Sequence, residues 1–191
     1  MRITTRTAPR TAARFAARAA ASSMVVAAAL AVIGFQGAGQ AASAAPQKKA
    51  PSIVTCTAAN TEVTVSTPTR PINHLLLKAT NTGSKPCYVY SAPFLRAGAD
   101  AQAPVAWAEE TTPQSVLMLE PGKSAYAGIT TYSPDGEGGS SIKTLGVIFA
   151  DRKGDATGAE KTLKLSKGGV FFNSAATVTY WQGNAADALA W

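Results

Sequence analysis

From residue 53 onward, apolar residues recur in short alternating or β-branched runs bounded by Gly, Pro, Asn and Asp, and no stretch of ten or more keeps helical spacing. Nine strands follow from this pattern, at residues 62–66, 74–80, 87–91, 105–108, 116–119, 124–132, 143–149, 162–165 and 177–181. A two-residue period sends alternate side chains to opposite faces. Strands this short and this regularly spaced predict an all-β sandwich of eight or nine strands. Asn81-Thr82-Gly83-Ser84 supplies turn chemistry, because Asn and Gly tolerate positive φ, and Pro121-Gly122 suits the two central positions of a type II turn. Both are read as hairpin closures. Residues 133–141 (SPDGEGGSS) read as a mobile glycine-rich loop, as do residues 151–158.

The first 44 residues carry a different pattern. Arg2, Arg6, Arg10, Arg14 and Arg18 come first, with no acidic residue, and a twelve-residue apolar run follows at 24–35 (MVVAAALAVIGF). Small residues then lead to Ala42-Ser43-Ala44. A basic region, an apolar region and an A-x-A site in that order predict a signal peptide over 1–44, cut before Ala45. The apolar run is shorter than the roughly 20 residues that span a bilayer, so no membrane anchor is expected after cleavage. A mitochondrial transit peptide would be amphipathic throughout. A lipoprotein would place a cysteine directly after the apolar run, whereas Cys56 lies 21 residues beyond Phe35. Residues 45–52 (APQKKAPS) read as a flexible linker and 53–191 as one domain, secreted and either free or held at the cell wall.

Removing the signal changes the electrostatics. The net charge of +7 counts 18 basic and 11 acidic residues; without the five early arginines, 13 remain against 11, a net +2. Lys48 and Lys49 belong to the linker, and Lys161, Lys164 and Lys167 alternate with apolar residues or glycine. No basic patch of the kind that binds nucleic acid is expected.

Cys56 and Cys87 are the chain's two cysteines. An even count in an exported chain predicts a disulfide, here closing a loop that restricts the unfolded state by about 3–4 kcal/mol. Two cysteines with one histidine make an incomplete zinc set, and a redox pair would sit closer together. The expected bridge ties the segment before the first predicted strand to the start of the third.

Cys56, the run 75–87 (LLLKATNTGSKPC), Pro93 and the run 119–125 (LEPGKSA) together resemble a secreted actinobacterial domain of unknown function, family 4232, over about residues 55–130. Members carry an early cysteine, a strand ending in a Thr-Asn-x-Gly turn, a second cysteine, a Gly-x-Pro step and an L-x-P-G-x-x-A segment. Here Ser91-Ala92-Pro93 stands in place of the glycine-containing step, and a second cysteine pair toward the C-terminal half is absent. The resemblance implies an immunoglobulin-like sandwich and export, and it brings no activity.

Candidate chemistry is sparse. His74 is the single histidine, opens a strand and has no serine in a nucleophile-elbow context, so it reads as a surface residue. Glu109 and Glu110 are adjacent and would point to opposite faces of a strand, not across one cleft as glycoside hydrolysis requires. Asp135, Glu137, Asp151 and Asp155 lack the dense acidic alternation of a calcium loop. No catalytic residue, metal or cofactor is expected. Tyr88 and Tyr90 share one strand face, and with Trp107 they form the candidate ligand-binding set, which Tyr126, Tyr132, Tyr180, Trp181 and Trp191 could join. Sandwiches also bury such rings, so core packing competes with binding. The segment 185–191 (AADALAW) reads as a helical turn or an apolar tail.

The expected function is a non-enzymatic extracellular binding or structural module for an envelope polymer, a peptide or a protein. A hydrolase assembling scattered carboxylates is the alternative, and a loop-based enzyme inhibitor using 133–141 is a third reading.

Overall fold

The computed structural model describes residues 53–191, which fall in one compact unit. The signal peptide expected at 1–44 and the linker at 45–52 lie outside the described residues. All nine predicted strands are present, joined by three short ones. In chain order the strands are β1 (Val54–Thr55), β2 (Thr61–Ser66), β3 (His74–Asn81), β4 (Cys87–Ala97), β5 (Ala106–Ala108) and β6 (Leu117–Leu119). Then come β7 (Ser124–Thr130), β8 (Ser140–Ile142), β9 (Thr144–Ala150), β10 (Ala156–Lys164), β11 (Val170–Phe172) and β12 (Thr177–Thr179). A 3₁₀ turn at Glu109–Thr111 and a short helix α1 (Ala185–Ala188) complete the set.

Two five-stranded sheets face each other. One has β4 as its spine, with β1 and β6 on its first residues, β9 on its later ones, and β10 beyond β9. The other runs β2-β3-β7-β12-β5. Strands β8 and β11 form a separate antiparallel ribbon. The core lies where the inward rows meet. Val89, Leu95, Leu145, Val147 and Phe149 come from the first sheet, and Val63, Leu75, Leu77, Ala127 and Ile129 from the second. Period-two alternation produces those rows: in β3, Leu75, Leu77 and Ala79 are buried while Lys78 is exposed.

The disulfide joins Cys56, directly after β1, to Cys87, the first residue of β4, with a Cα–Cα distance of 5.0 Å. The expected bridge is present, and both cysteines are fully buried. The short parallel pairing of β1 with β4, Val54 opposite Cys87, sets the two half-cystines side by side.

The two turns expected to close hairpins do something else. Gly122 has φ 78° and Lys123 N–H donates to Glu120 O at 2.9 Å, the pattern of the expected turn. Yet β6 pairs with β4 while β7 pairs with β3 and β12, so this turn carries the chain from one sheet to the other. The turn after β3 likewise passes between sheets to β4. Turn residues dictate a reversal of direction, whereas the partner of each strand is chosen by burial of its inward row. Asn81 binds the two crossings together. Its side-chain N–H groups donate to Lys85 O (2.9 Å) and Leu119 O (2.8 Å), and its Oδ1 accepts from Gly83 N–H (2.8 Å). Its backbone exchanges bonds with Lys123 O and Gly122 N–H.

Both predicted loops are shorter than expected. Residues 140–141 belong to β8, and the remainder is pinned. Asn173 Nδ2 donates to Ser133 O (2.8 Å), Glu137 N–H donates to Ser174 Oγ (2.8 Å), and a Cβ on Gly139 would lie 2.5 Å from Phe172 O. Glycine here permits close packing and does not signal freedom of movement. In the second loop, Asp151 Oδ1 accepts from Lys153 N–H (2.7 Å) and Asp155 N–H (3.0 Å), closing the turn so that β10 resumes at Ala156.

The C-terminal segment is docked. Asn184 caps α1 by accepting from Asp187 N–H at 2.9 Å, and Ala188 is fully buried. The turn lies on the outer face of β7 at Gly128, where a Cβ would sit 1.8 Å from Ala188 O.

Candidate functional site

Strand β4 presents its alternate residues outward: Tyr88 and Tyr90, then Phe94 and Arg96. Between them the register slips. Tyr90 pairs with Ala150 and Phe94 with Ile148, so β4 uses two more residues than β9 over this interval. An even insertion preserves the facing, which returns Phe94 to the side occupied by Tyr90. Pro93, which has no N–H to offer a ladder, sits in the bulge, and Ser91 takes φ 51°.

The aromatic residues divide into separate groups. Tyr88 and Tyr90 pack together with ring centroids 5.8 Å apart, as the strand pattern predicts. Trp107 has other neighbours: Phe94 at 4.8 Å, inclined by 51°, and Tyr180 at 5.7 Å, edge-on. Its indole N–H donates to Pro93 O at 3.2 Å, which fixes the ring beside the β4 bulge. Trp181 is 1% exposed and stacked on Phe149, and so belongs to the core. Its indole Nε1 is the one buried side-chain polar atom without a partner among the described residues. Tyr132 packs against Phe171.

Phe94 stands between two open recesses. The first, about 290 Å³, is lined by Phe94, Arg96, Pro104, Ile148 and Glu160. The second, about 380 Å³, is lined by Phe94, Pro104, Val105, Trp107 and Glu109. Phe94 and Pro104 line both, so the two recesses adjoin across these residues and together form one groove between β4 and Trp107 of β5 in the opposite sheet. An ion pair stands toward one end and a carboxyl group toward the other. Arg96 holds Glu160 with two bonds, Nε to Oε2 at 2.9 Å and Nη2 to Oε1 at 2.5 Å. The Glu160 carboxylate lies over β9 at Gly146, where a Cβ would come within 2.6 Å of it. Hydrogen bonds from Arg96 hold the Glu160 carboxyl below its ordinary value, while its burial acts the other way. At the far end, Tyr180 Oη donates to Glu109 Oε2 at 2.6 Å. Burial first, and the bond to Glu109 second, push the Tyr180 phenol up.

Glu109 and Glu110 occupy the 3₁₀ turn, not a strand end, because Thr112 N–H and Thr111 and Thr112 hydroxyls bond back to Glu109 O and Ala108 O. Glu110 and Asp187, both exposed, line a further cleft of about 300 Å³ beside α1. His74 is half-buried, its ring nitrogens within 2.7 Å of Ile72 O and 3.0 Å of Trp191 O. No group of three His, Cys, Asp or Glu that could hold a metal occurs among the described residues.

Sequence reasoning singled out Tyr88, Tyr90 and Trp107 and missed Phe94, Arg96 and Glu160. Phe94 and Arg96 continue the outward alternation of β4 once the Ser-Ala-Pro bulge is taken out. That step was visible as a departure from the resembled pattern. Nothing local announces Glu160, whose partner is 64 residues away.

The family model described as Domain of unknown function (DUF4232) matches residues 56–182, from the first half-cystine to Gln182, well past the segment 55–130 that carries the resemblance. No curated protein and no solved structure matches the chain. With its buried Cys56–Cys87 bridge and β-sandwich, the chain belongs to the DUF4232 family of domains of unknown function.

Proposed function

We propose that this chain is an exported, non-enzymatic binding module, and that the groove around Phe94 and Trp107 is its recognition surface. One observation carries the reading: the half-buried Phe94 ring lines both recesses and the Trp107 ring in contact with it lines the second, with the Arg96–Glu160 ion pair toward one end and Glu109 toward the other. Apolar walls with a few fixed polar groups are what small-ligand and peptide sites require. The carboxylates in the groove support binding over hydrolysis. Glu109 and Glu160 line different recesses, and Glu160 is engaged by Arg96 at both oxygens. The partner class is an envelope polymer, a peptide or a protein, met outside the cell, free or at the wall.

Purified protein mixed with isolated cell wall or concentrated culture supernatant tests this. Capture above a control protein, reduced at least several-fold in Phe94→Ala and Trp107→Ala, is expected. Capture equal to the control, or unchanged in both variants, would sink the reading.

A second reading, a hydrolase, is favoured by the shared cleft of Glu110 and Asp187. It predicts release of fragments from the same polymer, lost in Glu110→Gln.

A further inference from the structure

The geometry points to a quaternary ammonium group, of the kind carried by choline, as the ligand of the Trp107 recess. This rests on the binding-module reading and names its ligand chemistry. Phe94 and Trp107, in contact with each other at 4.8 Å and inclined at 51°, both line the recess, and Tyr180 packs edge-on against Trp107. An aromatic face carries negative quadrupole density and attracts a cation within about 6 Å of its centroid, most strongly for Trp. Glu109 places its carboxyl group on the same wall, held by the Tyr180 hydroxyl, and Glu110 follows it in sequence. The facing loop contributes Gly154, from a segment in which Asp151 and Asp155 balance Arg152 and Lys153. The recess therefore selects a cation.

Its lining selects which cation. A primary ammonium brings three N–H donors and needs three acceptors. Apart from Glu109, whose Oε2 already accepts from Tyr180, the side chains here are Phe94, Pro104, Val105, Ala106 and Trp107, with no acceptor among them. The Trp107 indole N–H, a donor bound to Pro93 O, offers an ammonium no acceptor either. A trimethylammonium group donates no hydrogen bond, presents methyls to the rings and loses little on leaving water. The adjoining recess, reached past Phe94 and Pro104, has room for whatever the ammonium is attached to.

The test uses ¹⁵N-labelled purified protein, with the Trp107 indole resonance assigned by its loss in Trp107→Phe. Choline is titrated beside 3,3-dimethylbutanol, its neutral isostere, and n-butylamine, a primary ammonium. Choline is expected to shift the Trp107 indole with a millimolar dissociation constant, and the two comparators to bind about fivefold more weakly or worse. Glu109→Gln leaves the rings in place and is expected to weaken choline severalfold without changing the isostere. Equal affinity for choline and the isostere would show a merely apolar recess and overturn the proposal. Tighter binding of butylamine would replace it with a lysine site, and no shift at 100 mM choline would remove it. Should choline fail while polymer capture still depends on Trp107, the ammonium assignment falls and the binding module stands. Choline binding without any capture leaves the reverse.

Discussion

The backbone N–H of Trp181 donates to the carbonyl of Ser91 at 3.1 Å, and the next residue, Gln182, exchanges both backbone bonds with Tyr126. Ser91 belongs to the sheet of β4 and Tyr126 to that of β7, so two consecutive residues stitch the two layers together. The stitch relies on the bulge: Ser91 reaches its position with φ 51°, where a Cβ is disfavoured by about 1 kcal/mol. Ser91→Gly is expected to stabilise the domain by about 0.5–1 kcal/mol, and Ser91→Val to destabilise it by more than 1 kcal/mol, in urea titrations of both variants.

Asn81 is 1% exposed and uses both N–H donors and the carbonyl oxygen of its side-chain amide. Asn81→Ala leaves the carbonyls of Lys85 and Leu119 without their donor and should cost about 2–4 kcal/mol. Asn81→Asp keeps the acceptor for Gly83 N–H but turns the donors into acceptors facing those carbonyls, and is expected to cost at least as much. Chemical denaturation checks both.

The Cys56–Cys87 bridge spans a sequence separation of 31. Its removal in a Cys56→Ala, Cys87→Ala double variant should cost about 3–4 kcal/mol if its effect lies in the unfolded chain. The comparison is thermal unfolding of the oxidised protein and the variant. The double substitution avoids leaving one buried thiol in an altered site.

Lowering the pH should loosen the groove at the Arg96 end. Arg96 holds the Glu160 carboxyl below its unfolded value, so the pair's contribution is complete above about pH 4.3 and is lost as pH falls through the lower folded value. The unfolding midpoint of the native protein should therefore fall across that acid range more steeply than that of Glu160→Gln. Parallel slopes in the two proteins would show that the pair adds no acid sensitivity.

How far the chain reveals itself depends on how local each cause is. Alternation in 74–80 and 124–132 is local, and both strands appear there, the second ending at Thr130, two residues early. The type II turn at Pro121-Gly122 is also local and is present, but its role as a crossing between sheets depends on which inward rows bury together. Glycines 136 and 139 look the same in a sequence whether they loosen a loop or let it pack, and it took the side chains of Asn173 and Ser174, far along the chain, to decide between the two. For the groove, Trp107 was legible as an aromatic residue, whereas its contact with Phe94 required a bulge to be recognised in advance.

Gly128→Val would drive a side chain into Ala188 O and expel the C-terminal turn. Amides 185–190 should then exchange much faster with solvent while those of β3 and β9 change little, as hydrogen exchange would show.

The docked turn also gives the sandwich a front and a back. Residues 185–188 cover the outer side of β7, whereas the outer side of β4 carries the half-buried rings of Tyr88 and Tyr90. Asp187 shares a cleft with Glu110, the neighbour of Glu109, so a label or solid support attached there would stand beside the Glu109 end of the groove.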